Sequence, residues 1–301
     1  MAGKFCEKQG RARGLRRLQA DGVYTDREML PTIHLGFLSI HTFGLMMWCA
    51  AVAGALVTDR AFRRAHIDAD AMWIVVVTLI AGIVGAKLWH LADTPLDLRE
   101  MGWRALYDPG GFAWYGGLTF GITALVVQGV RARIGAVRIL DLAAPAAAIG
   151  YGVGRIGCFL SGDGCYGIAI TPVHILGGTF RAWGMAFPHG IEPVFVPVYP
   201  TPLYELAAGL VIGWWLWRQL GKPHATGAIL GQYLLLTGIA RFLVEFIRRN
   251  PKVLWGLSNA QLASAGAAVV GVGVIWWTAR RPSGRTVLGA EQAPAAVQKP
   301  A

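Results

Sequence analysis

The sequence has few charged residues and few cysteines. Only 15% of its 301 residues are charged, 54% are hydrophobic, and the mean hydropathy is +0.46. Its four cysteines form no Cys-x-x-Cys pair and have no histidine at metal-ligand spacing, so neither a disulfide framework nor a zinc site is predicted. We expect buried thiols, with a pairing of Cys158 and Cys165 as the alternative if both face an oxidising compartment. No nucleotide-binding loop or metal motif occurs, so we expect no metal and no soluble cofactor.

Acidic residues are also scarce. The chain has 17 Asp and Glu against 28 Lys and Arg, which gives a formal net charge of +11. The basic residues lie mostly in short loops rather than in a stripe with interleaved aromatic residues. This distribution favours membrane topology and anionic lipid as the explanation, and no nucleic-acid partner is expected.

What the sequence has instead is long apolar blocks. Each is about twenty residues long, which is the length that crosses the hydrocarbon of a bilayer as a helix. The sequence therefore predicts an all-α polytopic membrane protein with about seven transmembrane helices. The predicted spans are 37–57, 72–91, 112–130, 139–160, 202–220, 227–248 and 258–279.

Basic residues follow alternate spans, which predicts the orientation. They are Arg60, Arg63, Arg64, Arg131, Arg133, Arg138, Arg218, Lys222, Arg280, Arg281 and Arg285. By the positive-inside rule these loops are cytoplasmic, so the N-terminus lies outside and the C-terminus inside. The loop at about 161–201 is rich in Gly and Pro and has Arg181 as its one Lys or Arg, which predicts a small extracytoplasmic lobe.

The two ends flank the predicted membrane domain, 37–280. Residues 1–36 form an N-terminal extension whose first 28 residues carry seven Lys and Arg, although the predicted orientation places them outside. One hypothesis that removes this conflict is that translation starts at Met29. The extension has no apolar core of signal-peptide length. Residues 281–301, rich in Ala, Pro and Gln, predict a disordered cytoplasmic tail.

An arginine lies in a glycine-rich run at the end of the fourth predicted span. The run 154–167 holds five glycines, Arg155, Asp163 and two cysteines. Glycines such as Gly154 and Gly157 let the backbone approach a ligand closely. A guanidinium at membrane depth is costly, which indicates an anionic partner, and phosphate is the favoured one.

A second charged group lies near the end of the sixth predicted span. Arg241, Glu245 and Arg248 fall within about 60° of one another on one helical face. For Arg241 we favour a functional role, because intramembrane ionisable groups usually face a cavity. The alternative is an ion pair between Arg241 and Glu245, with Arg248 and Arg249 reaching to the interface.

Two further segments stand at the starts of predicted spans. Tyr115, Gly116 and Gly117 open the third span, where paired glycines allow either a lipid headgroup at the helix N-terminus or a plain helix contact. Tyr204 and Glu205 enter the fifth span, and a carboxylate there complements the helix dipole. Capping is therefore the favoured explanation of Glu205.

In this order, the four motifs resemble the bacterial prolipoprotein diacylglyceryl transferases. The resemblance covers about 37–265. Its segments are Tyr-Gly-Gly at 115–117, Gly-Arg-x-Gly at 154–157 with its acidic loop, Pro-Thr-x-Leu-Tyr-Glu at 200–205, and Arg-Phe-x-x-Glu-Phe-x-Arg at 241–248 followed by Ser-x-x-Gln at 258–261. Each motif alone is moderately specific, whereas four in the right order on a seven-span frame are a strong resemblance.

The resemblance implies a transferase of the bacterial cytoplasmic (inner) membrane. It would move diacylglycerol from phosphatidylglycerol to the lipobox cysteine of a prolipoprotein, releasing glycerol phosphate. The implied catalytic residues are Arg155, Arg241, Glu245, Asp163 and Tyr115. The implied substrate-binding residues are Arg155, Gly116, Gly117, Gly154, Gly157, Tyr204 and Arg248. Arg155 and Arg241 would stabilise the leaving phosphate.

The base that deprotonates the acceptor thiol stays open, because Tyr115 stands where the family has a histidine. Glu245 and Asp163 are preferred over His41, and the alternative is a thiolate stabilised by the arginines alone. Phe43 and Cys158 also depart from the family pattern. Two alternatives therefore remain: a paralogue that uses the same donor with another acceptor, and a lipid-binding or transport protein. No second copy of the arginine motifs occurs, which favours the enzyme over a transporter.

Overall fold

The computed structural model describes residues 29–36, 38–108, 110–171, 173–175, 178–180 and 183–280. The predictions for 1–28 and for the tail 281–301 lie outside these residues. Eight α-helices are present in the described part: α1 Thr42–Arg64, α2 Ala71–Asp93, α3 Pro95–Met101, α4 Trp114–Arg131, α5 Ala136–Ser161, α6 Thr201–Leu220, α7 Ala228–Val244 and α8 Asn259–Ala279. Short 3₁₀ turns follow α3 and α7, at Gly102–Leu106 and Glu245–Ile247.

Seven of these helices overlap the seven predicted spans, one helix to each span. Within the described residues, five are long and apolar enough to cross a membrane: α1, α2, α5, α7 with its 3₁₀ turn, and α8. The remaining two, α4 and α6, have 18 and 20 residues and do not meet that criterion, so their crossing stays a prediction. The chain is an all-α polytopic membrane protein, as the sequence predicts.

A β-hairpin precedes the first span, whose start the sequence predicts at about residue 37. Strands β1 (Thr32–Leu35) and β2 (Leu38–His41) form an antiparallel hairpin in which Ile33 pairs with Ile40. Helix α1 begins only at Thr42, whose backbone N–H and hydroxyl both donate to the Pro31 carbonyl at 3.1 Å. The hairpin includes residues on both sides of the predicted boundary at 36. Its two strands satisfy the backbone hydrogen-bonding groups of each other.

The predicted lobe at 161–201 contains short strands around a small core. Strands β3 (Val173–Ile175) and β4 (Gly178–Phe180) pair antiparallel, as do β5 (Met185–Phe187) and β6 (Val194–Val198). Met29 is 5% exposed and packs with Tyr166, Met185, Phe187 and Val198. The Tyr166 and Phe187 rings stack with centroids 5.1 Å apart. Residues just before the hairpin thus share the core of the lobe.

Two compact units can be distinguished. The described residues of the first fall within 29–50, 148–212 and 235–269, and those of the second within 51–147, 213–234 and 270–280. In the first unit, α5 and α6 meet at Gly152 and Gly209, where a Cβ on Gly209 would lie 2.9 Å from the Gly152 Cα. Such a close approach requires glycine. It brings Arg155 of α5 and Glu205 of α6, each about one turn away, within reach of each other.

Candidate active site

Glu205 lies at the centre of a charged cluster in the first unit. It comes from the first turns of α6 and is only 2% exposed. Its carboxylate lies 3.3 Å from Nε of Arg155, 3.7 Å from Nε of Arg241 and 3.1 Å from Nη1 of Arg248. A carboxylate at this depth is stable only when it is paired, and here three guanidinium groups neutralise it.

Tyr151 connects Arg155 to Glu205. It precedes Arg155 by one turn of α5, so the two side chains share a helical face. The Tyr151 hydroxyl donates to Oε1 of Glu205 at 2.7 Å and accepts from Nη2 of Arg155 at 2.7 Å. The Arg155 guanidinium also lies over the Tyr151 ring, 4.7 Å from its centroid. Arg155 is therefore held in one orientation from two sides.

Glu245 is the second buried carboxylate of the cluster, with 0% exposure. It pairs with Arg241, which precedes it by four residues, and lies 3.8 Å from Nε of Arg248. Oε1 also accepts from Nδ2 of Asn250 at 2.6 Å and from Oγ of Ser258 at 2.7 Å. These contacts occupy both carboxylate oxygens, so Glu245 is placed to orient arginines.

A capping arrangement at the start of α8 fixes Ser258. Its backbone N–H donates to Oε1 of Gln261 at 3.0 Å, and its Oγ accepts from the Gln261 N–H at 3.2 Å. This is the reciprocal capping box expected of Ser-x-x-Gln. Lys252 donates to the same Gln261 oxygen at 3.1 Å. The helix start therefore holds the hydroxyl that donates to Glu245.

The cluster has a charge imbalance. With both carboxylates ionised, three guanidinium groups face two carboxylates, which leaves one positive charge uncompensated. The side chains of Arg155, Arg241 and Arg248 keep 16%, 25% and 11% of their surface exposed. Partly accessible arginines fixed in a water-poor setting suit an anion with several oxygens, such as a phosphodiester.

Two free thiols lie beside Arg155. Nη1 of Arg155 is 3.8 Å from Sγ of Cys158 and 3.8 Å from Sγ of Cys165. Cys158 is buried and Cys165 half-buried, whereas Cys49 is exposed, contrary to the prediction that the cysteines are buried. The hydrogen bond from the Cys158 thiol lowers the pKa of Cys165, as does the charge of Arg248.

Asp163 belongs to the same group of side chains. Its Oδ1 accepts from the Cys165 N–H at 3.1 Å, and a carboxylate oxygen and the two sulfurs all lie within 4.8 Å of one another. Such a set of ligand atoms could hold a thiophilic cation. The Arg155 guanidinium beside both sulfurs opposes a cation there and favours a thiolate instead.

Gly154 and Gly157 face helix α1. A Cβ on Gly157 would lie 3.1 Å from Cβ of Met46 and 3.4 Å from the Phe43 carbonyl oxygen. A Cβ on Gly154 would meet Sδ of Met47 at 3.7 Å, an ordinary contact. Helix packing explains Gly157 directly, and the predicted phosphate contact of both glycines stays a prediction.

Tyr115, Gly116 and Gly117 belong to the second unit. A Cβ on Gly116 would overlap the carbonyl oxygen of Gly85 in α2, whereas one on Gly117 would make only tight or ordinary contacts at 3.4 Å. Tyr115 is 52% exposed and makes an edge contact with Trp114, with ring centroids 5.9 Å apart. The geometry of Gly116 favours the helix-contact interpretation of this motif.

Three other residues considered in the sequence analysis, Tyr204, His41 and Arg249, have few polar contacts among those found in the described residues. Tyr204 is half-buried beside Glu205 on α6. His41 ends β2, and its Nδ1 lies 3.3 Å from Oγ1 of Thr32 at an exposed position. Arg249 lies over the Tyr166 ring, 5.5 Å from its centroid. The alternative in which Arg248 reaches to the interface is wrong, because Arg248 is paired with Glu205.

Sequence reasoning missed the central carboxylate and its partner. Glu205 was explained as a capping residue, and Tyr151 was not selected. The spacing of four residues between Tyr151 and Arg155 could have identified Tyr151, since it places them on one face of α5. Asn250 and Ser258 lie close in sequence to Arg248 and Gln261, but their contact with Glu245 depends on the turn between α7 and α8.

The sequence matches known proteins that carry the name of one family. A sequence model described as "Prolipoprotein diacylglyceryl transferase" matches residues 31–277. Among curated relatives, a phosphatidylglycerol–prolipoprotein diacylglyceryl transferase of Leptospira interrogans is 31% identical over 240 residues, covering 70% of this chain and 72% of the relative. A protein of the same name from Methylibium petroleiphilum is 30% identical over 269 residues, covering 83% and 96%.

A third relative of that name, from Pseudomonas putida, is 29% identical over 266 residues, covering 82% of this chain and 92% of the relative. The matched region contains every residue of the cluster around Glu205, together with the two thiols beside Arg155. The chain therefore belongs to the prolipoprotein diacylglyceryl transferase family.

Proposed function

We propose that this protein transfers the diacylglyceryl group of phosphatidylglycerol to the cysteine thiol of a prolipoprotein lipobox and releases glycerol phosphate. The observation that supports it most is the cluster in which Arg155, Arg241 and Arg248 share the buried Glu205. One positive charge is left for an anion, and Arg155 and Arg241 come from helices α5 and α7 of a membrane protein. A phospholipid phosphate is the anion available at that depth.

The reaction needs charge stabilisation on the leaving group. The thiolate sulfur attacks the diacylglyceryl carbon that carries the phosphate ester, the S–C bond forms, and the C–O bond breaks with its electron pair going to glycerol phosphate. Arg155 and Arg241 bind the phosphate oxygens on which this charge develops. Because Tyr151 and Glu205 already orient Arg155, little reorganisation accompanies the reaction.

The two carboxylates act through the arginines. Glu205 separates and aligns three guanidinium groups, and Glu245 fixes Arg241 while Asn250 and Ser258 fix Glu245. The role of base predicted for Glu245 fits its contacts poorly, since both oxygens already accept hydrogen bonds. We therefore assign Glu205 and Glu245 as positioning residues.

Phosphatidylglycerol in the bacterial cytoplasmic membrane would enter from the bilayer, and the acceptor would be the lipobox peptide of a prolipoprotein. The proposed orientation has the N-terminus outside, the C-terminus in the cytoplasm and the lobe at 161–201 on the outer face. It is supported by the alternation of basic loops. The lobe begins at the thiols beside Arg155, which suits a segment that receives a peptide.

A paralogue with a different thiol acceptor is the second candidate. Tyr115, Phe43 and Cys158 depart from the pattern that the family resemblance implies, whereas Arg155 and Arg241 fit it. Such a protein would still consume phosphatidylglycerol and would differ only in the peptide it accepts.

The experiment that tests the function uses purified full-length protein with phosphatidylglycerol and a lipobox peptide. Mass spectrometry should detect the diacylglyceryl thioether, and glycerol phosphate should appear in equal amount. Phosphatidylethanolamine as donor, or a peptide with serine for cysteine, should give little product. Product from a free thiol but none from the lipobox peptide would favour the paralogue, and no product from any thiol would reject the transferase assignment.

A further inference from the structure

We propose that Cys165 is the general base that removes the proton from the acceptor thiol. This inference rests on the proposed transferase function and assigns a residue to the step that the family resemblance left open. It stands on the position of Cys165 beside Arg155 and on the contacts that occupy the competing groups.

Cys165 belongs to the lobe at 161–201 and lies beside Arg155 of the arginine cluster. Its sulfur lies 3.8 Å from Nη1 of Arg155, while its carbonyl oxygen accepts from the Thr201 hydroxyl at 2.5 Å and its N–H donates to Asp163. The backbone of Cys165 is thus held on both sides. Cys165 is half-buried, whereas the neighbouring Cys158 is buried.

The groups around this sulfur favour a thiolate. The Cys158 thiol donates a hydrogen bond to it, Arg248 adds positive charge, and Arg155 donates an N–H. Burial and the Asp163 carboxylate act in the opposite direction. The pKa of Cys165 is lowered on balance, with the hydrogen bond from Cys158 as the largest cause.

The other candidate bases are less suitable. Glu245 is fully buried and accepts hydrogen bonds at both oxygens. His41 lies on the exposed hairpin beside Thr32. Tyr115 is a phenol, which is a weak base at neutral pH because its ordinary pKa is about 10. Asp163 remains the competitor, and the experiment below separates it from Cys165.

A thiolate suits this proton transfer chemically. A general base works best when its pKa lies near the operating pH, and lowering the pKa of a thiol brings it toward that condition. The Cys165 thiolate takes the proton of the lipobox thiol and becomes a thiol, and the new lipobox thiolate forms the S–C bond. Glycerol phosphate leaves with the C–O electron pair and accepts the proton from Cys165, directly or through water, which restores the thiolate.

The first test compares the pH dependence of transfer by the wild type, Cys165→Ser and Asp163→Asn. At neutral pH we expect Cys165→Ser to lower kcat by about 10²-fold, the contribution of a general base. The deficit should shrink as pH rises past about 8.5, where the acceptor thiol ionises unaided. Asp163→Asn should keep the form of the wild-type pH profile but displace it to lower pH, because it removes a carboxylate that raises the pKa of Cys165. Cys49→Ser, which removes an exposed thiol, should match the wild type throughout.

The second test measures the thiol itself in the full-length protein. The alkylation rate of Cys165 with iodoacetamide, followed against pH by peptide mass spectrometry, should show a midpoint below about 8.5, the ordinary pKa of a cysteine thiol. Cys158→Ala should move this midpoint upward, because it removes the donor to the thiolate. Alkylation of Cys165 should abolish transfer, and phosphatidylglycerol with peptide should slow it.

Several results would overturn the inference while leaving the function intact. One is a Cys165→Ser variant with the transfer rate and pH profile of the wild type. Another is a loss of kcat in Cys165→Ser that stays constant with pH, which would indicate a structural role for Cys165. Loss of the profile in Asp163→Asn alone would assign the base to Asp163. Stoichiometric zinc, or a Cys158–Cys165 disulfide in the active protein, would also exclude a free thiolate. Failure of the wild type to form product would reject the function itself.

Discussion

Glu205 and Asp141 are both buried carboxylates, but they are neutralised in different ways. Asp141, in the second unit, is 0% exposed and accepts from the backbone N–H groups of Gly227 at 2.5 Å and Leu230 at 2.7 Å. These amides open helix α7, so Asp141 caps that helix and complements its dipole. Glu205 instead lies among three guanidinium groups in the first unit.

The difference separates structure from function. The backbone amides that bind Asp141 could bind a ligand only if the helix unwound. The charge of Asp141 therefore stabilises the fold and has no role in binding. Guanidinium groups have five donors each, and one carboxylate cannot occupy them all. Glu205 therefore leaves its arginines oriented and still able to bind an anion. Burial alone does not show whether a carboxylate has a structural or a functional role. The groups that neutralise it distinguish the two roles.

Of the substitutions that test this difference, replacement of Glu205 should lower transfer activity the most. Glu205→Ala leaves three guanidinium groups facing one another, so we expect transfer to fall by at least about 10³-fold, together with a destabilisation of about 3–5 kcal/mol. Glu205→Gln keeps the shape and an acceptor for Tyr151, and should lower transfer by about 10²-fold with a smaller loss of stability. Transfer rate and thermal unfolding of both variants check this.

Asp141→Asn should give the opposite pattern. One oxygen is replaced by a donor that faces a backbone N–H, so the free energy of unfolding should fall by about 1–3 kcal/mol. The kcat of the folded fraction should remain that of the wild type. Thermal unfolding in detergent, followed by a rate normalised to folded protein, measures both. A change in kcat as large as that of Glu205→Gln would remove the distinction between the two carboxylates.

Tyr151→Phe tests the orientation of Arg155 with a smaller change. The ring and its contact with the guanidinium remain, while the hydrogen bonds to Arg155 and Glu205 are lost. Bonds to charged groups contribute about 1.5–3 kcal/mol, so kcat should fall by about 10- to 100-fold. Tyr204→Phe on α6 is the matched control and should change kcat less than Tyr151→Phe.

The smallest effects should come from the glycines of the arginine motif. Gly154→Ala fits the space found in the structure, so we expect a change of less than about 0.5 kcal/mol in stability. Gly157→Ala is tighter against Met46 and α1 and should cost about 1 kcal/mol. If Gly154→Ala lowers transfer strongly while stability is unchanged, the predicted phosphate contact at this glycine gains support.

The helices could be predicted from the sequence because a block of about twenty apolar residues has few alternatives in a bilayer. The hairpin at 32–41 was missed since its second strand continues directly into the apolar run of α1. Arg241, Glu245 and Arg248 were predicted as a group because their spacing in the sequence fits one face of a helix. The spacing predicts the pair of Arg241 and Glu245, but helix α7 ends at Val244 and Arg248 follows the 3₁₀ turn, where it pairs with Glu205.

The centre of the cluster could not be predicted in the same way. Arg155 and Glu205 lie on different helices, and their contact depends on the glycine approach of α5 and α6 at Gly152 and Gly209. A single sequence gives the helix faces but not which helices meet. A glutamate at the start of α6 is already explained by the helix dipole. Nothing else in the sequence indicates that Glu205 contacts three arginines.

The most direct measurement of the central claim is glycerol phosphate release from phosphatidylglycerol that depends on the lipobox cysteine, in the wild type, Arg155→Ala and Arg241→Ala. Arg63→Ala, which removes an exposed arginine paired with Asp59, serves as the control. We predict rapid release by the wild type and by Arg63→Ala, and a loss of at least about 10³-fold in each of the other two. Equal release by all four folded proteins would contradict the account.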